Sequence, residues 1–252
     1  APPTFISRDP MFEKYPSISP YTYCMNNPMK FVDPTGEEIE IICPVTGDKI
    51  PYTPGMAIPE GASDFVSNSI NSLNAMNSTN NGGIVLGELV SSSNMFSITN
   101  NTTSVEGTAG FKGNESGGGT LNMGSNTSLL DFSHELFHGY QHENGQGGAS
   151  IFNEVEAYAF SNGVNASYAY MNDKASGSSF SMARNSTANG NLYEKAANNV
   201  LNGTAFSQSD FDTTVKLFKT ESESNSSGIY NNYPQRLSNQ KQNLLSRFYP
   251  LW

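Results

Sequence analysis

Two histidines, His134 and His138, stand four residues apart, with Glu135 directly after the first, in the run His134-Glu135-Leu136-Phe137-His138. Four residues are just over one helical turn, so on a helix both imidazoles share a face and can chelate one zinc ion. Glu135 lies about 100° round the same helix and can reach a water at the open metal position, the place of a general base. The chain has 3 histidines in 252 residues, and chance would give this pattern in roughly one such chain in a few hundred. A catalytic zinc takes three protein ligands and keeps a fourth position open. A histidine ten residues after the first would complete the set, but that position is Asn144. The third ligand is therefore expected to be a carboxylate on another helix, with Glu154 and Glu156 as the candidates. His142 is one turn past His138. Three ligands from one straight helix fit tetrahedral zinc badly, so His142 is expected to interact with the helix dipole instead.

The element that must carry the histidines is the clearest in the chain. Ser128 can cap a helix, with Asp131 as the acidic partner in its first turn, and Gly145 is placed to end it after about Glu143. Leu129, Phe132, Leu136, Gly139 and Tyr140 share one side, while Leu130 and Phe137 flank the histidines on the other, the mark of a buried helix. A second helix is expected from near Ile151, carrying Asn153-Glu154-Val155-Glu156-Ala157-Tyr158. Ahead of these, residues 38–53 read as a short hairpin, and a helix is expected from about Ser63, with Val66, Ile70 and Leu73 at helical spacing. Strand-like patches fall at Ile84–Val90, Met95–Thr99 and Gly119–Met123. Three more helices are expected at about 192–201, 210–221 and 239–248. The expected class is α+β: a site helix, a small mixed sheet and a largely helical C-terminal part.

Residues 128–160 resemble the gluzincin branch of zinc peptidases, in which a second helix carries Asn-Glu-x-x-x-Asp or Glu-x-x-Ala-Asp and its first glutamate binds the metal. Asn153-Glu154-Val155-Glu156-Ala157-Tyr158 matches except at the last position, where Tyr158 stands for the aspartate. The resemblance implies a zincin-like fold, zinc held by His134, His138 and Glu154, and Glu135 as catalytic base in peptide hydrolysis. That aspartate orients a ligand histidine in the family. Here the Tyr158 hydroxyl, Asp131 or a backbone carbonyl would take its place, and Glu156 would lie behind the ligands or on the surface. An oxyanion donor is also required, with Tyr168, Tyr170, Tyr230 and Tyr233 as candidates. The segment Gly228–Tyr233 is a candidate cleft wall.

Residues 9–36 have a different texture, with short Pro-rich turns: Asp9-Pro10, Ser19-Pro20, Asn27-Pro28 and Asp33-Pro34-Thr35-Gly36. Each X-Pro pair disfavours helix before it. This stretch resembles the end of an RHS-repeat-associated core domain, whose shell encloses a variable C-terminal toxin that begins soon after the Asp-Pro-x-Gly motif. The resemblance implies two parts, residues 1–40 as the shell end and 41–252 as a metallopeptidase toxin. It further implies export from a bacterium, delivery into a target cell, a protein substrate and a cognate immunity protein. Many members cleave themselves just past the motif, where an apolar residue is usual; Glu37 holds that position here.

The bulk numbers exclude other classes. The net charge is −10 and the pI about 4.7, whereas nucleic acid and anionic membranes both require a basic face. Charged residues are only 14% of the chain, so a neutral, loop-rich surface is expected. Cys24 and Cys43 are too few for a disulfide scaffold. The first residues lack a charged start and an apolar core segment, so a fragment of a larger exported protein is expected rather than a signal peptide.

Overall fold

The computed structural model describes residues 39–100, 109–172, 207–224 and 230–248, all within one compact unit, Glu38–Trp252. The segment resembling a shell end, the helix expected at about 192–201 and Cys24 lie outside the described residues. Among them are five α-helices and a five-stranded mixed sheet, an α+β arrangement.

The sheet runs in the order β2 (Lys49–Pro51), β1 (Ile39–Ile42), β3 (Phe96–Asn100), β5 (Gly119–Met123), β4 (Gly110–Gly113). β1, β3 and β5 are parallel neighbours, while β2 and β4 pair antiparallel at the two edges. Alternation sorts the side chains. Ile39, Ile41, Phe96, Ile98, Leu121 and Met123 are buried in the core. The opposite face is polar: Glu40 takes a hydrogen bond from Ser97 Oγ at 2.7 Å, and Thr99 Oγ1 donates to Asn122 Oδ1 at 2.7 Å. β1 and β2 form the hairpin expected within residues 38–53, and Cys43 beside it is a buried free thiol.

α1 (Asp64–Ser78) starts at Ser63, which accepts from the Val66 N–H. Thr79 ends it and also caps α2 (Asn80–Val90), accepting from the Gly82 N–H at 3.1 Å. The patch Ile84–Val90, expected as a strand, is therefore helical. A short apolar run does not distinguish the two states; the cap at Thr79 decides. Val85, Leu86 and Leu89 bury one side, leaving Ile84 and Glu88 outside.

α3 (Leu129–Glu143) and α4 (Ile151–Met171) pack against each other, and α3 also reaches β4 and β5. Every residue of α4 from Ile151 to Val164 is buried, so its polar side chains need partners inside the protein. α5 (Gln208–Ser224) lies against α4 through Phe211, Val215 and Phe218. The helix expected at about 239–248 is only one 3₁₀ turn, Leu244–Arg247. Its neighbourhood spends backbone donors on side chains: Lys241 N and Gln242 N donate to Gln146 Oε1, and Leu244 N donates to Glu156 Oε1 at 2.7 Å. Among the described residues no helix is long and apolar enough to cross a membrane.

The tight helix break predicts an intolerant glycine. A Cβ at Gly82 would lie 2.3 Å from Met76 O and 2.5 Å from Thr79 Oγ1. Gly82→Ala should lower stability in denaturant titration by about 1–3 kcal/mol, outweighing the ~0.5–1 kcal/mol that alanine normally gains in a helix.

Candidate metal centre

The site forms where the middle of α3 faces the first turn of α4. Ser128 caps α3, accepting from Asp131 N at 3.2 Å and donating to its carboxylate at 2.7 Å. Leu130, Phe132, Leu136, Phe137 and Tyr140 are buried on several sides of the helix, so the rotation of the histidine face is dictated by packing. Gly139 lets α3 approach the sheet, its Cβ direction meeting the Phe96 ring at 3.3 Å. α4 begins at Ser150, which accepts from Asn153 N. Glu154 sits in that first turn, where the free N–H groups favour a carboxylate. Asn153 turns the other way and donates to Gln146 O at 2.9 Å and Gly148 O at 2.8 Å, holding the α3–α4 loop.

Three donor atoms converge. His134 Nε2 is 3.1 Å from His138 Nε2 and 3.2 Å from Glu154 Oε2, and His138 Nε2 is 3.6 Å from the same oxygen. Donors bound at ~2.0–2.1 Å to one tetrahedral ion stand ~3.3 Å apart, so the three have the spacing that three corners around a single cation would have. His134 and Glu154 are buried and His138 is mostly so, with 17% of its side chain exposed. Charge couples the same three groups. Burial opposes ionising His138, but Glu154, then Glu135 and Gln141, overcome it and raise the imidazole to about 9. Burial alone would push Glu154 up, yet His138 and His134 hold its carboxyl well below the usual range. These residues are close enough to hold a metal ion.

The two imidazoles are supported differently. His138 Nδ1 lies 2.8 Å from Gln141 Oε1. Gln141 Nε2 donates to Asn153 O at 3.0 Å and to Glu156 Oε2 at 2.9 Å. The Asn153 carbonyl can only accept, which fixes the amide nitrogen on that side, so the amide presents oxygen to the ring, Nδ1 carries a proton and Nε2 faces the site. His134 has no such partner: its buried Nδ1 meets no hydrogen-bonding atom among the described residues. The Tyr158 ring covers its face with centroids 3.9 Å apart, and the Tyr158 hydroxyl pairs with Tyr230 at 2.7 Å. Neither Tyr158 nor Asp131 takes over the missing aspartate's hydrogen bond.

Glu156, the other candidate third ligand, is fully buried behind Gln141 and is not among the converging donors. Burial pushes its carboxyl up to about 8, against the hydrogen bonds from Leu244 and Gln141. His142 is likewise outside the donor set. Its Nε2 donates to Asn114 O at 2.9 Å, tying the β4–β5 turn to α3, and Gly113 and Gly147 leave space for its ring.

No family model, curated protein or solved structure matches this chain. What the site can do therefore rests on its geometry. An open cleft of about 660 Å³ reaches the donors, walled by β4, the 147–149 loop and three tyrosines, Tyr158, Tyr230 and Tyr233. Glu135 and Tyr233 are half-buried on its lining, and Tyr230 is buried there beside the donors. Tyr168 and Tyr170, also considered as oxyanion donors, are not on that lining, and Tyr170 is exposed. Gln141 and Glu156 are what sequence reasoning missed as a linked pair. The signal was present: Gln141 is three residues past His138, on the same helix face.

The donor set predicts metal-linked stability. A divalent ion at a free concentration 100 times its dissociation constant should stabilise the protein by about 2.7 kcal/mol in thermal unfolding. His134→Ala or Glu154→Ala should remove that response.

Proposed function

We propose that the chain is a zinc-dependent endopeptidase of zincin-like type, with His134, His138 and Glu154 as ligands and Glu135 as general base. The observation that carries the reading is the convergence of two imidazole nitrogens and a carboxylate oxygen within 3.1–3.6 Å, with an acid on the adjoining cleft wall. Two nitrogens and one oxygen suit zinc, and three protein donors leave its fourth position open. When bound, zinc lowers the pKa of a water from 15.7 to about 7 and polarises a carbonyl.

The remaining steps belong to the chain's own groups. Glu135 takes the proton of the attacking water and later gives it to the leaving amine, a role worth about 10² to 10⁴ in rate. Tyr230 and Tyr233 face the same cleft. Burial, then the charges of Glu154 and Glu135, push both phenols up, so at neutral pH they keep the proton needed to donate to a carbonyl oxygen gaining charge. The donors open onto a solvent-accessible cleft, which supports a polypeptide substrate.

In biological terms we read the peptidase as the C-terminal toxin of an RHS-type shell protein, exported from a bacterium and delivered to a target cell. The Pro-rich run ending in Asp33-Pro34-Thr35-Gly36 supports this reading. A shell and an immunity protein would be its partners, and a target-cell protein its substrate. A non-catalytic interaction module with a degenerate metal site is the second reading. The His134 Nδ1, without a hydrogen-bond partner among the described residues, favours it.

Glu135→Gln separates the two. It should keep the metal, lose proteolysis of an unfolded protein substrate by at least about 10², and relieve growth arrest when the chain is expressed in a bacterial cytoplasm. Equal cleavage by parent and variant would remove Glu135 from the mechanism.

A further inference from the structure

A buried chain of hydrogen bonds leaves the site through His138 and ends in the C-terminal segment. It runs from His138 Nδ1 to Gln141 Oε1 at 2.8 Å, from Gln141 Nε2 to Glu156 Oε2 at 2.9 Å, and from Glu156 Oε1 to Leu244 N at 2.7 Å. Three elements contribute: α3 gives His138 and Gln141, α4 gives Glu156, and the 3₁₀ turn gives Leu244. Gln141, Glu156 and Leu244 are each fully buried.

From this we infer that Gln141 and Glu156 are positioning residues for ligand His138, and that through them the C-terminal turn holds the ring in place for metal. The inference rests on the metal-centre reading above. An acid inside an all-buried helix is costly where an apolar side chain would fill the space, so its presence calls for a partner that needs it. Both oxygens of Glu156 have one. Leu244 N–H occupies Oε1, so Oε2 is left to fix the Gln141 amide. Asn153 O braces the same amide from a second direction at 3.0 Å. Held at two acceptors, the amide can present only its oxygen to His138. That selects the ring tautomer and aims Nε2 at His134 and Glu154.

The arrangement also explains an asymmetry. His134 is steadied by ring contact with Tyr158 and has no hydrogen bond at Nδ1 among the described residues. Directional support for the imidazole pair therefore comes from the His138 side. A hydrogen-bonded chain with every member satisfied gives a unique geometry, whereas a broken one leaves buried groups unpaired.

The test uses the full chain and zinc itself, titrated against a competing chelator. Gln141→Met keeps the volume and removes both links. Glu156→Gln turns one acceptor into a donor, which then faces either the Leu244 N–H or the Gln141 amide. Each variant should weaken zinc binding about 10- to 100-fold, and the double variant should be no weaker than the poorer single, because both break one chain. Ser161→Ala removes a buried hydroxyl of α4 bonded to Tyr158 O; it should affect the unfolding midpoint without moving zinc affinity. Zinc binding within about twofold of the parent in both variants, or losses that multiply in the double, overturns the inference. If the variants do not fold, the zinc-loaded parent decides by long-range proton–nitrogen NMR of its imidazoles. His138 should coordinate through Nε2 with a slowly exchanging Nδ1–H; coordination through Nδ1, or fast exchange there, overturns it. A parent that takes up no zinc overturns the metal reading and this one with it, whereas zinc uptake indifferent to Gln141 and Glu156 overturns this one alone.

Discussion

Crowding three electron-pair donors into one mostly dry point is unfavourable unless something positive sits among them. His134, His138 and Glu154 converge at 3.1–3.6 Å; Glu154 attracts the imidazoles, and the rest of the fold must hold the two rings together. Packing supplies the force. Phe137 stacks on Phe160 with centroids 4.5 Å apart, and Tyr140 joins the same cluster. Rotating α3 to separate the imidazoles would tear these contacts and expose apolar surface worth about 25 cal/mol per Å². The site is stable because moving its donor residues means unpacking the core.

Burial of α4 is the second condition. A helix hidden over fourteen consecutive residues can carry polar side chains only if each is answered inside the protein. Asn153 answers loop carbonyls, Glu154 answers the imidazoles, and Glu156 answers Gln141 and Leu244. The consequence is a division of labour along one turn. Adjacent residues build the cleft wall and the donor set, while the next acid braces the opposite helix.

The C-terminal stretch shows the same economy. Its backbone N–H groups at Lys241, Gln242 and Leu244 are taken by Gln146 and Glu156. Asn239 binds Gly147 O, and Pro234 and Gln235 carbonyls accept from the start of α4. An irregular segment thus locks the loop beside the cleft and the helix behind it. At the far wall, His142 ties the β4–β5 turn to the end of α3.

The sequence by itself determined the site helix, its Ser128 cap, the pairing of His134 with His138, and a second helix starting at Ile151 with an acid near its start. These are local facts, written in periodicity and in residues whose side chains bond their own backbone. It misjudged Ile84–Val90, because a short apolar run looks alike in a strand and in a buried helix, and it extended a helix through 239–248, where long-range partners take the backbone donors. The resemblance already favoured Glu154 over Glu156, but only the tertiary structure shows its carboxylate against the imidazoles and Tyr158 turned away from the vacant aspartate role. It alone joined Gln141 to Glu156. Two carboxylates two residues apart point about 200° apart around a helix, and which of them meets α3 depends on how the two helices are rotated against each other. That rotation is a property of the packed core, and no spacing along one chain segment encodes it.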